Sequence, residues 1–317
     1  MAKASCFTHT DRFMDVGEEP RKLLQPIEGY QSLPLVTLEE AIEPIATLCP
    51  DIQRRTYIAK GNCDLCKDGL TLDESAAIFL YTTEWFPVDQ CLYAALNSVL
   101  RSKNRNKLIQ PWLLYMKLFL TALFKLPHYT ETVWRGVRLD LRHEYKVGTT
   151  ITWWGFSSCA ESISVLESES FLGQEGKRTL FSIKCFNGKK IRQHSSFEDE
   201  DEILLLPGSQ FIVESHLQPS KKDPELIIIQ LKQVKPPFSL LEEPSMKIAS
   251  PAGTPVSETS KKHDQFDVEA ENQTEISATS ILPKAGTSKV NTSFASKASS
   301  SSIDKTTKYD TNTGTLT

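Results

Sequence analysis

Apolar periodicity divides the chain in two. Before about residue 128 the apolar positions recur at helical spacing, as at Leu92, Leu96, Val99 and Leu100, which places them on one helix face. Thr37-Leu38-Glu39-Glu40 and Thr71-Leu72-Asp73-Glu74 each read as a capping box opening a helix. The most apolar run, Trp112 to Leu126, is broken by Lys117 and Lys125 and is shorter than the ~20 residues a membrane span needs. It predicts a buried helix entered through Pro111.

After Pro127 the pattern changes to short runs rich in branched and aromatic residues, at 132–137, 149–158, 179–186, 202–206, 210–214 and 226–234, which predict strands. Turns such as Asn187-Gly188 and Pro207-Gly208 separate them. Strands gathered after helices predict an α+β fold, because a doubly wound sheet would alternate the two. From about Pro244 the chain becomes rich in Ser, Thr, Lys and Ala with few aromatic residues, a composition that buries too little apolar surface to offset its ordering entropy. Residues 237–317 are therefore expected to form a disordered tail, and 1–30 an N-terminal extension.

Composition then excludes some function classes. The 317 residues carry a formal charge of -4 without a Lys/Arg stripe, which argues against a nucleic-acid partner. The opening residues hold no apolar leader, and no segment resembles a membrane anchor, so no membrane partner is expected. Seven scattered cysteines, an odd number, fit free thiols in a reducing, cytoplasmic setting. Cys63-Asp64-Leu65-Cys66 lacks the second ligand pair of a zinc site, and no metal is expected.

Three strand segments place polar groups beside apolar ones: Val133-Trp134-Arg135-Gly136-Val137, Trp154-Gly155-Phe156-Ser157-Ser158, and Glu200-Asp201-Glu202 running into Ile203-Leu204-Leu205-Leu206-Pro207-Gly208. A guanidinium at the core edge, as at Arg135, wants an anion: either a structural carboxylate or a ligand phosphate or carboxylate. Gly136 permits close approach of a ligand to the backbone. If residues 200 to 202 are extended, Glu200 and Glu202 share one face and Asp201 points away. The acidic run from Glu198 to Asp201 also reads as a solvated loop, whereas Glu202 stands where the chain enters the core, a position suited to a tuned or charge-stabilising carboxylate.

In these segments the sequence resembles the arginine-specific mono-ADP-ribosyltransferase family, whose signature is an Arg on one strand, a Ser on a second, and E-x-E before a V/I-L-L-x-P-G run. All three occur in order, and Leu70 to Trp85 and Leu126 to Val137 add to a likeness spanning about 30–235. The resemblance implies an ADP-ribosyltransferase fold over 31–236, a helical N-terminal layer packed on two small β-sheets that form an NAD cleft. It implies NAD as substrate, with NADP possible, and an arginine-bearing protein as acceptor. It further implies that Arg135 binds the NAD phosphates, that the Gly136 backbone grips the nicotinamide amide, and that Ser158 orients Glu202. Glu202 is then expected to stabilise the oxocarbenium-like transition state, and Glu200 to hold and deprotonate the acceptor guanidinium. Phe171 falls where the family sets a ring against nicotinamide, and Phe197 where it meets the acceptor. Cys159 and Ala160 replace the hydroxyl residues that usually follow the serine. The same resemblance leaves room for an NAD glycohydrolase, or for a binding module that retains only the fold.

Overall fold

The computed structural model describes residues 12–13, 15, 19–20, 22–63, 67–166, 172–173 and 175–245, all within one compact unit, Met1–Thr254. The helical half contains α1 (Leu38–Ile42), α2 (Ile52–Asn62), α3 (Leu72–Thr82), α4 (Leu92–Arg101), α5 (Arg105–Leu108) and α6 (Leu113–Lys125). Both expected capping boxes form: Thr37 and Thr71 accept from the amides of Glu40 and Glu74, whose carboxylates accept from the cap amides in return. Helix α6 is the predicted buried helix, with Leu113 to Leu123 almost wholly enclosed. Its Phe119 stacks on Tyr81 of α3 at 4.9 Å and tilts against Phe156 at 5.0 Å. That aromatic cluster, in which each ring buries a large apolar area, fixes the helical layer to the strand segment that carries Ser158.

The second half contains β1 (His128–Tyr129), β2 (Thr132–Val137), β3 (Thr150–Trp153), β4 (Ser157–Ala160), the short helix α7 (Ile163–Leu166), β5 (Arg178–Lys184), β6 (Gly188–Lys190), β7 (Glu202–Leu205), β8 (Ser209–Leu217) and β9 (Leu226–Val234). Two small sheets were expected; the strands instead form one sheet in the order β1-β6-β7-β4-β2-β5-β9-β8-β3. The two halves are still recognisable. β2 and β4 join through one registered pair, Trp134 with Ala160, whereas β2 shares six with β5 and β4 four with β7. This narrow seam is where Arg135 and Ser158 lie.

Strand β7 shows why its sequence is unbroken by polar residues. Leu204 pairs with the helical core, while Ile203 and Leu205 join the core under the rest of the sheet. Alternation sends them to opposite faces, and both faces are buried.

Three sequence expectations change. The run 149–158 is two strands, because the Asn97 side chain accepts from the Phe156 amide at 2.8 Å and donates to its carbonyl at 3.1 Å, taking bonds that a neighbouring strand would otherwise make. Gly155 is needed there, since a Cβ would come within 2.9 Å of Arg101 Nη2. Residues 237–245, assigned to the tail by composition, pack on the domain: Leu240 is buried and its carbonyl accepts from the Ile27 amide at 2.9 Å. Arg12, Phe13, Ile27 and Tyr30 of the expected extension are buried as well. The remainder of the expected tail, 246–317, lies outside the described residues.

Candidate active site

Arg135 on β2 is buried, and its Nη1 donates to the Ser158 carbonyl at 2.7 Å across the seam. Its Nη2 donates to the Asp15 carbonyl at 2.8 Å. Both acceptors are neutral carbonyls, and the Glu19 carboxylate lies within electrostatic reach of the guanidinium. Next to it, Gly136 lies against Leu172, whose Cδ1 is 3.0 Å from where a Cβ would stand.

Ser158 on β4 faces Leu204 of β7 in register, and Ala160 faces Glu202. Ser158 and Glu202 are therefore diagonal neighbours, a relation that spans roughly 7–8 Å between Cα atoms. The expected bond between them is not made: the Ser158 hydroxyl is buried and has no hydrogen-bond partner among the described residues. Both Glu202 oxygens are instead committed to Arg12. Left without a partner among the described residues, the Ser158 hydroxyl keeps a donor and an acceptor to offer.

The two glutamates meet, but not by strand alternation. Glu198–Glu200 is a single 3-10 turn, Asp201 takes a left-handed conformation (φ 43°), and the strand begins only at Glu202. The turn folds Glu200 back over the start of β7. The loop before it is held by α3: the Ser196 amide donates to Thr82 Oγ1 at 2.9 Å, and His194 Nδ1 lies 2.8 Å from the Ser75 hydroxyl. Burial drives the His194 imidazole below its usual pKa, so at neutral pH it fastens the loop as an uncharged group.

Between the glutamates lies a guanidinium that the sequence analysis did not single out. Arg12 donates from Nε to Glu202 Oε1 at 3.1 Å and from Nη2 to Glu202 Oε2 at 2.8 Å, a two-pronged contact, and Nη2 also reaches Glu200 Oε2 at 2.5 Å. Nη1 donates to the Thr82 carbonyl at 3.0 Å and lies 3.4 Å from Glu84 Oε1. The rings of Phe13 and Phe197 flank it at 5.5 and 5.4 Å. Burial opposes the charge on Arg12, but the Glu202 and Glu200 carboxylates outweigh it and hold the guanidinium above its usual pKa. The Glu200 carboxyl is pushed up to about 7, chiefly by burial and further by the neighbouring Glu202 charge, against the pull of Arg12. Nothing local to Arg12 signalled this: it sits in a polar stretch with no apolar period, and only the tertiary fold brings it to the glutamates. Phe171 lies outside the described residues.

A family model described as "NAD:arginine ADP-ribosyltransferase" matches residues 50–236, more than half of the chain. The chain belongs to the NAD:arginine ADP-ribosyltransferase family. One relative is a protein of Mycobacterium avium (strain 104), Mav, provisionally named an NAD(+)--arginine ADP-ribosyltransferase; it is 38% identical over 96 residues, 30% of this chain and 11% of that protein. The chain thus corresponds to about a tenth of that relative. Solved structures of similar shape include the ADP-ribosyltransferase HopU1 of Pseudomonas syringae pv. Tomato DC3000, with 19% identity over 63% of this chain and 88% of that one at a TM-score of 0.43. Vis of Vibrio splendidus, solved with agmatine, has 22% identity over 65% and 90% at 0.40. The eucaryotic mono-ADP-ribosyltransferase ART2.2 has 20% over 64% and 85% at 0.43. Membership of the family rests on the sequence match. The matched span contains Arg135, Gly136, Ser158, Phe197, Glu200 and Glu202.

Among the described residues no group of three or more His, Cys, Asp or Glu side chains is arranged to hold a metal ion, and no helix is long and apolar enough to cross a membrane. Cys63 is described and partly exposed; Cys66 is outside the described residues.

Proposed function

We propose that this family member transfers ADP-ribose from NAD to the side chain of an arginine in an acceptor protein, releasing nicotinamide. The observation that carries the reading is the guanidinium between Glu200 and Glu202: the site already binds the functional group that such an acceptor presents. The residues fit NAD as well. Arg135 offers a buried planar cation for its phosphates, Gly136 removes a side chain beside it, and the unpartnered Ser158 hydroxyl has a free donor.

In this reading Arg135 and the Gly136 backbone hold the dinucleotide, and Ser158 donates to Glu202 once that carboxylate is free of Arg12. Glu202 then accepts from the 2'-hydroxyl of the nicotinamide ribose and stabilises positive charge at C1' while the C1'–nitrogen bond breaks and its electron pair leaves with nicotinamide. Stabilising charge that develops only in the transition state accelerates the step, as at other anomeric centres. Glu200 orients the acceptor guanidinium, whose Nη forms the new bond to C1', and takes the proton that the nitrogen loses. Without that help a guanidinium, protonated at any physiological pH, is a poor nucleophile. Phe197 packs over the plane of the acceptor group as it does over Arg12. NADP in place of NAD is compatible with the same residues.

The test uses labelled NAD with agmatine, a small guanidine, and separates ADP-ribosyl-agmatine from free ADP-ribose. Transfer product in the wild type, lost together with hydrolysis by roughly a hundredfold or more in Glu202→Gln, is expected. Free ADP-ribose alone would replace the transferase with a glycohydrolase, and NAD binding without turnover would leave a binding module.

A further inference from the structure

The segment that brings Arg12 to the glutamates reaches both ends of the site. Arg12 takes the two oxygens of Glu202 and one of Glu200, and three residues later the Asp15 carbonyl accepts from Arg135 Nη2. Its described residues are fastened on several sides. The Asp15 carboxylate accepts from Arg101 at 3.0 and 3.1 Å and from Asn97 at 2.7 Å, both on α4. The Glu19 carboxylate accepts from Arg101 Nε at 3.2 Å and from the Trp154 amide at 3.0 Å. The Arg12 amide donates to Glu84 at 3.0 Å. These contacts come from α4, β2, β7, Glu84 just past the end of α3, Glu200 in the turn before β7, and the β3–β4 turn.

We propose that Arg12 is an internal mimic of the acceptor arginine, and that the segment carrying Arg12, Asp15 and Glu19 is a plug that shuts the cleft against NAD and acceptor until it is displaced. The inference rests on the transferase reading above. Arg12 takes one acceptor site on each Glu202 oxygen and offsets its charge, and Asp15 takes one of the two Nη2 hydrogens of Arg135, so each group has less to offer a ribose hydroxyl or a phosphate. Arg12 presents to Glu200 the same planar cation an acceptor would, with Phe197 alongside, so it competes for both substrates at once. The alternative, a permanent structural ion cluster, leaves the glutamates and Arg135 with that reduced capacity for either substrate.

The plug lowers apparent affinity by the fraction of molecules open, so release shows directly in NAD binding. Full-length protein is titrated with NAD by calorimetry as wild type, Arg12→Ala, Arg12→Lys, and the double variant Asp15→Ala/Glu19→Gln. The double variant loosens the segment while leaving Arg12 in place to return to the glutamates, which guards against a loss of fold in Arg12→Ala. Arg12→Ala and the double variant are each expected to bind NAD about tenfold tighter or more, with a lower KM for agmatine. Arg12→Lys should fall between, since an ammonium cannot reproduce the two-pronged contact. Unchanged or weaker NAD binding in both folded variants would overturn the plug. So would ADP-ribose on Arg12 by mass spectrometry, which would make it an acceptor in its own right. Failure of the transferase reading looks different: tighter NAD binding in the released variants with no turnover in any of them.

Discussion

The unpartnered Ser158 hydroxyl separates a structural role from a functional one. In Ser158→Ala the only polar group removed is a buried oxygen without a hydrogen bond among the described residues. Stability is therefore not expected to fall. A buried unsatisfied polar group costs about 1–3 kcal/mol, and relieving even about 1 kcal/mol of that raises the midpoint of a domain this size by roughly 2–4 °C. Activity should move the other way. If Ser158 orients Glu202 once NAD is bound, the variant loses a bond to a charged group, about 1.5–3 kcal/mol, or about ten- to a hundredfold in kcat/KM. The assay pairs a thermal melt with initial rates of nicotinamide release at NAD concentrations well below KM. A lower melting temperature with turnover intact would falsify the assignment, because the hydroxyl would then be serving the fold.

Three further outcomes follow from the site and the core. Glu200→Gln should abolish ADP-ribosyl-agmatine while nicotinamide release into water persists, since water needs no carboxylate to take a guanidinium proton; parallel loss of both activities contradicts the division between the glutamates. With the Glu200 carboxyl pushed up to about 7 by burial first and by Glu202 next, the base form grows as pH rises, so transfer should climb about tenfold per unit below about 7 and level off above it; a profile flat between about pH 5.5 and 8.5 assigns the proton to another group. Leu240→Ala, at a buried position packed on Gly208, should cost about 2–5 kcal/mol in urea unfolding, and an unmoved midpoint would return residues 237–245 to the tail.

How much of this was legible depends on whether the signal was local. Capping boxes and the Trp112–Leu126 run were readable because cap chemistry and apolar length act within one element, and both appear in α1, α3 and α6. The strand carrying Arg135 and the strand at 226–234 were placed at their observed ends, since each is a long branched run. The break in 149–158 was not readable, because it is made by Asn97 from a distant helix. Asn187-Gly188 was read as a turn, whereas Gly188 opens the strand Gly188–Lys190, whose partners lie on β1 and β7. At the site, Arg135, Ser158, Glu200 and Glu202 were named; Arg135 and Ser158 lie at the β2–β4 seam, Glu202 on the neighbouring β7, and Glu200 in the turn before it. The reasoning for the glutamates was wrong in its geometry, as a left-handed Asp201 replaces the extended step. Tail composition misplaced 237–245, where Leu240 and Leu241 pack on the core and the backbone at Glu242 and Ser245 accepts from Tyr30 and Lys117.

Arg12 sharpens what an acceptor must offer. A guanidine free in solution competes with one that is tethered, and short tethers give effective concentrations in the millimolar range. The internal arginine also forms three charged hydrogen bonds to the two glutamates, each stronger than a neutral one. A lone guanidine offers at best the same bonds without the tether. It therefore enters chiefly when the plug opens spontaneously, and agmatine reports a small part of the capacity of the site. A protein acceptor can do more, by contacting residues around Asp15 and Glu19 and weakening their grip on Arg101 and Asn97 while its own arginine replaces Arg12. Binding energy gained away from the reacting atoms is then spent on opening the site, and specificity for the protein exceeds specificity for the side chain. Release of Arg12 also exposes two neighbouring carboxylates that no longer share a cation, which is unfavourable unless another arrives. The pair thus favours exchange of one arginine for another over an empty site, and discrimination among acceptors falls to the surface that loosens the segment.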